Sequence, residues 1–205
     1  VYKRQVRHAV KGQEAGLDAV IAQGPEGGGH TGKVAGMALI PQCVDAVDIP
    51  VIAAGGIYDG RGLATALAFG AQGVWIGTRF IASKEAHAGD LYKHAVVEAR
   101  DEDTIITRAY SGKTMRVKTN AYVEDWESRP QDIQPFPAHA MISAQSGVMG
   151  GLAGQIEGLD ADRSCFAMGQ SAGGVQEVKP CKDIILEMMD EAEAVISRLH
   201  GLIHK

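Results

Sequence analysis

The sequence predicts an α/β fold built on a parallel sheet, and three observations carry this prediction. First, three short apolar runs, at 19–22, 51–54 and 73–76, suit strands that are buried on both faces. Second, a helical pattern lies between each consecutive pair of runs, as a crossover between parallel strands requires. Third, glycines follow the runs, at the carboxyl ends of strands, where α/β proteins bind their ligands.

Helices and strands are predicted to alternate over the first part of the chain. Each helix shows apolar residues at helical spacing, and glycine or proline marks most element ends. The predicted order is helix 6–15, strand 19–22, helix 35–47, strand 51–54, helix 61–69 and strand 73–76. Beyond these we expect a helix over 84–109 that is clearest over 91–100 and an irregular segment over 110–137. A glycine-interrupted helical segment at 138–156, a glycine-rich loop at 168–174 and a long amphipathic helix from Pro180 are expected to follow.

Composition and charge exclude several classes of protein. The 205 residues are 45% hydrophobic and 22% charged, which is typical of a globular chain of one domain, or one domain plus a piece, and argues against disorder. The formal net charge is −5 and no dense basic run occurs, so neither a nucleic-acid partner nor an anionic membrane surface is expected. No apolar run reaches the roughly 18 residues that a membrane-spanning helix needs.

The three cysteines, Cys43, Cys165 and Cys181, lie far apart and form no CxxC motif. This spacing fits neither a zinc site nor a disulfide framework, and no metal site is predicted. We expect each cysteine to act as a small buried hydrophobic residue and not as a reactive thiol. An odd cysteine count suits a reducing compartment, so a cytoplasmic location is expected.

Two consecutive strands are each followed by a glycine-containing loop. Gly55 and Gly56 follow the second predicted strand, and Gly77 and Thr78 follow the third. Backbone N–H groups that no side chain shields can approach phosphate oxygens in such loops. One loop of this kind would be explained by a tight turn alone, whereas two consecutive loops favour a phosphate site.

Five glycine-containing segments are similar to segments of one enzyme family. They are DAVIAQG at 18–24, EGGGHTG at 26–32, PVIAAGGI at 50–57, GAQGVWIGTRF at 70–80 and GQSAG at 169–173. In this order and spacing the chain resembles the nitronate monooxygenases over roughly residues 6–205, most strongly over 16–87. The resemblance implies an FMN-dependent enzyme with a TIM (β/α)₈ barrel and a helical lid region inserted after the last strand.

The resemblance also implies how the chain is organised. Residues 6–87 are expected to form the C-terminal part of the FMN-binding barrel, with only the last three of its eight strands. Residues 88–168 would form the lid, and 169–205 the return to the barrel and the C-terminal helix. Residues 1–5, VYKRQ, resemble the translation of a transposase end used in sequencing libraries. We therefore expect an artefact there, with the native sequence beginning near Val6; the alternative is a genuine strand-to-helix junction.

His30 is the predicted catalytic residue. It follows three glycines, whose lack of side chains leaves room for a flavin ring beside it. The resemblance makes it the active-site histidine. A neutral imidazole could take a proton from the carbon next to a nitro group, or hydrogen-bond an anionic nitronate. A solvated loop histidine is the alternative, and Glu26 is either a group that orients the ring or a solvated residue.

Further residues are predicted to contact the cofactor. Gln23 ends a buried strand at the ligand-binding edge, where its amide could bind the flavin or the substrate, or simply cap the strand. Gly28 and Gly29 immediately precede the catalytic histidine. Gln170 and Ser171, in the late glycine-rich loop, could reach the flavin from the lid or build a turn. Together with the four residues of the phosphate loops, they complete the predicted FMN site.

Three functions are compatible with these residues. The first is a nitronate monooxygenase, which oxidises a small-molecule nitronate or nitroalkane with O₂ to a carbonyl compound and nitrite, with a homodimer as one expected assembly. The second is an FMN-dependent enoyl-acyl-carrier-protein reductase that uses NAD(P)H, which the stretch 92–104 also resembles. The third is a non-catalytic barrel that binds flavin or phosphate, and a catalytically competent His30 argues against it.

Overall fold

The computed structural model of the protein describes residues 2–3 and 5–203 and divides the chain into two compact units. The first unit comprises 1–26, 32–76 and 179–205, and the second comprises 27–31 and 77–178. Val1 and Arg4, which belong to the segment predicted to be an artefact, lie outside the described residues.

Strands and helices are numbered here in chain order. The strands are β1 (Tyr2–Lys3), β2 (Val20–Gln23), β3 (Gly29–His30), β4 (Val51–Ala54), β5 (Gly73–Trp75), β6 (Thr104–Thr107) and β7 (Met115–Lys118). The α-helices are α1 (Val6–Glu14), α2 (Gly36–Ala46), α3 (Gly60–Ala68), α4 (Thr78–Ile81), α5 (Asp90–Val97), α6 (Ala121–Glu127), α7 (Ala138–Gln145) and α8 (Cys181–Ile203). Short 3₁₀ helices span Pro130–Asp132 and Gln170–Gly174.

The first unit is built on a parallel sheet with the strand order β1-β2-β4-β5. The register pairs Val20 with Val51 and Ile52 with Gly73, so the three predicted strands are neighbours in one sheet. The α/β class is confirmed by this sheet and by the helices α1, α2 and α3, which lie between its strands in sequence as predicted. The two-residue strand β1 lies in the segment 1–5, which was interpreted as an artefact, and its position before α1 agrees with the alternative of a strand-to-helix junction.

Apolar residues from the strands and from α1 and α2 form the core of the first unit. Its fully enclosed members include Val20 and Ala22 on β2, Ala53 on β4, and Leu39 and Cys43 on α2. Short alanine side chains on the strands let the helices pack close to the sheet. The carboxyl ends of the strands are thereby held in fixed positions, and these ends carry Gln23 and the Gly55-Gly56 loop.

The second unit contains an antiparallel sheet in the order β3-β7-β6, so the segment 88–168, which was expected to form a helical lid, also contains the strands β6 and β7. β6 lies within the segment that was predicted to be a helix. Its residues Thr104 to Thr107 are all β-branched, which favours a strand, and they pair with β7. β7 and α6 lie in the segment predicted to be irregular. No helix within the described ranges has the length and apolar character needed to cross a membrane.

Candidate active site

The backbone of His30 is held on the antiparallel sheet of the second unit. His30 lies opposite Met115 in the pairing of β3 with β7. Beyond the strand, the N–H of Thr31 donates to the carbonyl of Thr114 over 3.2 Å, and the Thr114 hydroxyl donates to the carbonyl of Thr31 over 3.3 Å. The predicted catalytic histidine is therefore part of a paired strand, and its side chain is half-buried.

The imidazole of His30 contacts a serine hydroxyl from a distant part of the sequence. Its Nε2 lies 2.8 Å from Oγ of Ser111, which is 81 residues away. Ser111 is only 3% exposed, and its Oγ also contacts the backbone N–H and the carbonyl of Lys113, at 3.3 and 3.2 Å. Ser111 was not predicted from the sequence, because it falls in the segment predicted to be irregular and no local spacing links it to His30.

The structure explains the glycines at positions 28 and 29, which precede His30, in different ways. A Cβ on Gly28 would lie 2.7 Å from the carbonyl carbon of Met168 and 2.9 Å from the nitrogen of Gly169, so two backbone segments meet there. Gly29 has φ +75°, a left-handed conformation that favours glycine, and no described atom lies within 4 Å of a Cβ built on it. Glycine at 28 is thus explained by packing, whereas the space beside Gly29 is open.

The late glycine-rich loop is held by Thr78. The N–H of Gly169 donates to the Thr78 hydroxyl over 2.9 Å, and Thr78 is 7% exposed. The following residues Gln170 and Ser171 begin a 3₁₀ helix, with Gln170 exposed and Ser171 buried. The turn-forming role that the sequence left open for these two residues is therefore present, and their contact with a flavin stays a prediction.

Gly77 directly precedes α4, and its backbone conformation does not require glycine. Its φ is −100°, which any residue adopts, and no described atom lies within 4 Å of a Cβ built on it. Glycine at this position is explained neither by backbone conformation nor by packing among the described residues. Gly77 is exposed, so its main chain is accessible to solvent.

In the first unit, the ends of β2 and β4 carry the remaining predicted residues. Gln23 ends β2 and is 8% exposed, so its amide is enclosed at the carboxyl edge of the sheet. Gly55 and Gly56 follow β4 with φ +94° and +75°. Two consecutive left-handed residues are a conformation that only glycine adopts at low cost, and they expose main-chain N–H groups without a shielding Cβ.

Glu26 lies against the second of these glycines. Its Oε1 accepts a hydrogen bond of 2.9 Å from the N–H of Gly36 at the start of α2, where a carboxylate is favoured by the helix dipole. Its Oε2 is buried and has no hydrogen-bond partner among the described residues. A Cβ on Gly56 would lie 3.5 Å from Cβ of Glu26, so the Glu26 stem supports the Gly55-Gly56 loop. Glu26 thus belongs to the helix start and is not a solvated loop residue.

A cavity of about 200 Å³ lies beside this loop within the first unit. Its lining includes Glu26, Gly36, Gly55, Gly56, Ile57 and Thr65. Small-molecule sites usually have volumes of roughly 300–1,000 Å³, so this cavity alone is too small for a complete nucleotide.

Two of the three cysteines, Cys43 and Cys165, are buried and have a structural role. Burial raises the pKa of Cys165 to about 12 and also raises the pKa of Cys43, so both thiols stay protonated at neutral pH. Cys181 is half-buried at the start of α8. Among the residues that the structure describes, no group of three His, Cys, Asp or Glu side chains is placed to hold a metal ion.

Comparison with known proteins gives consistent matches. The family model described as nitronate monooxygenase matches residues 4–191. A relative from Mycobacterium tuberculosis, named "Putative monooxygenase Rv1533", is 36% identical over 203 residues, which cover 97% of this chain and 54% of that protein. The chain thus spans about half the length of this curated relative.

Two solved structures are similar over nearly the whole chain. FabK from Thermotoga maritima matches with a TM-score of 0.86 and 38% identity, over 98% of this chain and 62% of that one. Nitroalkane oxidase from Streptomyces ansochromogenes matches with a TM-score of 0.84 and 29% identity, over 97% of this chain and 58% of that one.

Proposed function

Because the chain belongs to the nitronate monooxygenase family, we propose that the protein is an FMN-dependent nitronate monooxygenase. The reaction oxidises an alkyl nitronate with O₂ to a carbonyl compound and nitrite. The observation that carries the proposal is the imidazole of His30, which follows a run of glycines and has its Nε2 placed 2.8 Å from Ser111. Proteins of this family are oxidoreductases. Histidine is the side chain that most often transfers protons in enzymes, so His30 is a suitable acid–base group.

The loop after β4 fits the phosphate of FMN. Gly55 and Gly56 are both left-handed, so main-chain N–H groups in the loop are free of a neighbouring Cβ. The N–H groups at the start of α3 are bound by the carboxylates of Asp59 and Glu191, so the phosphate would be held by the loop and not by the start of the helix. When bound, FMN would accept electrons from the nitronate and react with O₂. We propose Gly77 and Thr78 as further contacts to the cofactor, with support from the open backbone at Gly77.

We propose that His30 acts on the substrate. With a neutral nitroalkane, the imidazole would take the proton from the carbon next to the nitro group, which converts the substrate into the nitronate. With a preformed nitronate, the protonated imidazole would donate a hydrogen bond to the anion and orient it. Gln23, Ser171 and Gln170 remain candidates for contacts to the flavin or the substrate.

An anaerobic mixing experiment tests the function. The full-length protein, loaded with FMN, is mixed with propyl-2-nitronate and, in a separate arm, with NADPH, while the flavin absorbance is recorded; free FMN is the control. We expect the nitronate to bleach the bound flavin. Bleaching by NADPH alone, followed by reoxidation with an enoyl thioester, would overturn the proposal in favour of an enoyl reductase. Bound flavin that neither compound bleaches would instead indicate a non-catalytic barrel.

A further inference from the structure

We propose that Ser111 is a positioning residue that fixes the tautomer of His30, with the proton on Nε2 and the lone pair on Nδ1. The effect on turnover rests on the proposed function, whereas the tautomer itself can be measured without any activity. A neutral imidazole carries one proton on either nitrogen, and the hydrogen bond at one nitrogen decides which form is present.

The hydrogen-bonding capacity of the serine hydroxyl carries the assignment. A hydroxyl has one proton to donate and two lone pairs that accept. Around Oγ of Ser111 lie Nε2 of His30 at 2.8 Å, the N–H of Lys113 at 3.3 Å and the carbonyl oxygen of Lys113 at 3.2 Å. The carbonyl can only accept, and the backbone N–H can only donate. All three contacts are satisfied together when the hydroxyl donates to the carbonyl and accepts from both N–H groups, which places the proton on Nε2.

The opposite tautomer leaves one contact unsatisfied. If the hydroxyl donated to Nε2, its oxygen would face the Lys113 carbonyl at 3.2 Å with no proton between them. Ser111 is 3% exposed, so water cannot readily compensate for this loss. The Sδ of Met115, at 3.8 Å, is a weak acceptor for the same hydroxyl proton and therefore supports the first arrangement.

The serine is itself held in place. Its N–H donates to the carbonyl of Arg108 over 3.2 Å, and the N–H of Gly112 donates to the same carbonyl over 2.8 Å. Gly112 has φ +77°, and a Cβ on it would lie 2.6 Å from the nitrogen of Phe136, so the turn is closely packed. The acceptor for Nε2–H is therefore preorganised and does not have to be ordered when substrate binds.

The tautomer determines where the substrate proton goes. When a nitroalkane is deprotonated, the C–H bond breaks, its electron pair moves into the nitro group to give the nitronate, and the proton is bound by Nδ1. The imidazolium then formed keeps its Nε2–H directed at Ser111, and a hydrogen bond to the charged form favours that form. Ser111 should therefore make His30 a stronger base than an imidazole without this acceptor.

Nuclear magnetic resonance of the FMN-loaded protein with ¹⁵N-labelled histidine tests the assignment. The His30 signals are identified by their loss in His30→Asn. We expect the neutral ring to be protonated at Nε2. Protonation at Nδ1 in the wild-type protein overturns the proposal, whether or not any variant folds and whether or not the enzyme turns over nitroalkanes.

Two buried serines provide a matched pair of variants. Ser111→Ala should mix the two tautomers and move the acid limb of the pH profile of kcat/KM for a nitroalkane to lower pH. Its kcat for the nitroalkane should fall about ten- to a hundredfold. Ser143→Ala removes a hydroxyl that is also fully buried but bonds to Tyr122 and Ala109. Ser143→Ala should change the His30 tautomer and the pH profile of kcat/KM little.

Equal changes in both variants, or no change in Ser111→Ala, would overturn the positioning role of Ser111. A wild-type protein that turns over no nitroalkane would instead contradict the proposed function.

Discussion

Glycines of the candidate site are required for different reasons. Gly28 is required by the approach of the Met168–Gly169 backbone, and Gly56 by its left-handed φ of +75°. Gly77 has neither requirement among the described residues. A substitution at Gly28 or Gly56 would therefore strain the fold as well as any ligand site, whereas Gly77 separates the two effects.

Gly77→Val is expected to weaken FMN binding without destabilising the protein. A branched side chain fits the open space but would block a phosphate from the backbone N–H groups. Hydrogen bonds to a charged group contribute about 1.5–3 kcal/mol each, so a loss of about ten- to a hundredfold in affinity is expected. Fluorescence titration of the apoprotein with FMN measures the affinity, and thermal unfolding of the apoprotein is the control. Unchanged affinity would mean that this loop only turns the chain.

Burial of Cys165 is expected to make stability fall at alkaline pH. In the folded protein its pKa is raised to about 12 by burial, from an ordinary value of 9.0. The unfolded chain therefore loses this proton first, and the stabilisation is complete below about pH 9 and is lost as the pH rises toward 12. Thermal unfolding at a series of pH values should show a steeper alkaline decline for the wild type than for Cys165→Ala. Parallel declines would assign the pH dependence to other groups.

Elements with a strong local pattern were predicted well from the sequence. The three apolar strands and the helices α1, α2, α3 and α8 lie within a few residues of their predicted bounds. Their signals are continuous apolar runs or helical periodicity, both of which arise from burial against neighbours in the same βα units. β3 was missed because its pairing with β7 joins residues about 85 positions apart, and no window of sequence contains that information. β6 and β7 are neighbours in sequence, and β6 was missed because it continues a segment that was predicted to be a helix.

The contact between α3 and α8 depends on a glycine. A Cβ on Gly60 would lie 2.5 Å from the nitrogen of Ala192 and would also meet the carbonyl of Met188, so the two helices approach at their backbones. Overpacking of this kind costs about 1–3 kcal/mol, and Gly60→Ala should lower the melting temperature by several degrees. Gly201→Ala on α8 is the matched control, because no described atom lies within 4 Å of its Cβ. Equal melting temperatures of Gly60→Ala and the wild type would show that α3 and α8 can move apart without loss of stability.

The residues of the candidate site can be proposed from the sequence alone, whereas the contacts that support them cannot. The motif around His30 and the glycine loops are contiguous in sequence, and their residue types already limit their chemistry. The partner of the histidine, Ser111, and the hydrogen bond between Thr78 and Gly169 join residues 81 and 91 positions apart. Such contacts are set by the tertiary fold, so single-sequence patterns do not contain them.

The bound flavin is expected to be FMN. The glycine loops suit a terminal monophosphate. Gly27, Gly29 and Gly32 match the spacing GxGxxG, but this segment runs through β3 and does not lead directly from a strand into a helix, as a dinucleotide site of the Rossmann type requires. Flavin released by heat from the full-length protein is separated by chromatography and compared with FMN and FAD standards. Recovery of FAD would contradict the proposed cofactor.

The most direct test of the proposed function is the turnover of His30→Asn on two substrates. As a general base, His30 contributes about 10²–10⁴-fold, so turnover of a neutral nitroalkane should fall by that factor. A preformed nitronate has already lost the proton, so its oxidation should fall far less, while FMN affinity stays close to that of the wild type. Equal losses on nitroalkane and nitronate would contradict the role of His30 as a base, and no loss on either would remove it from the reaction.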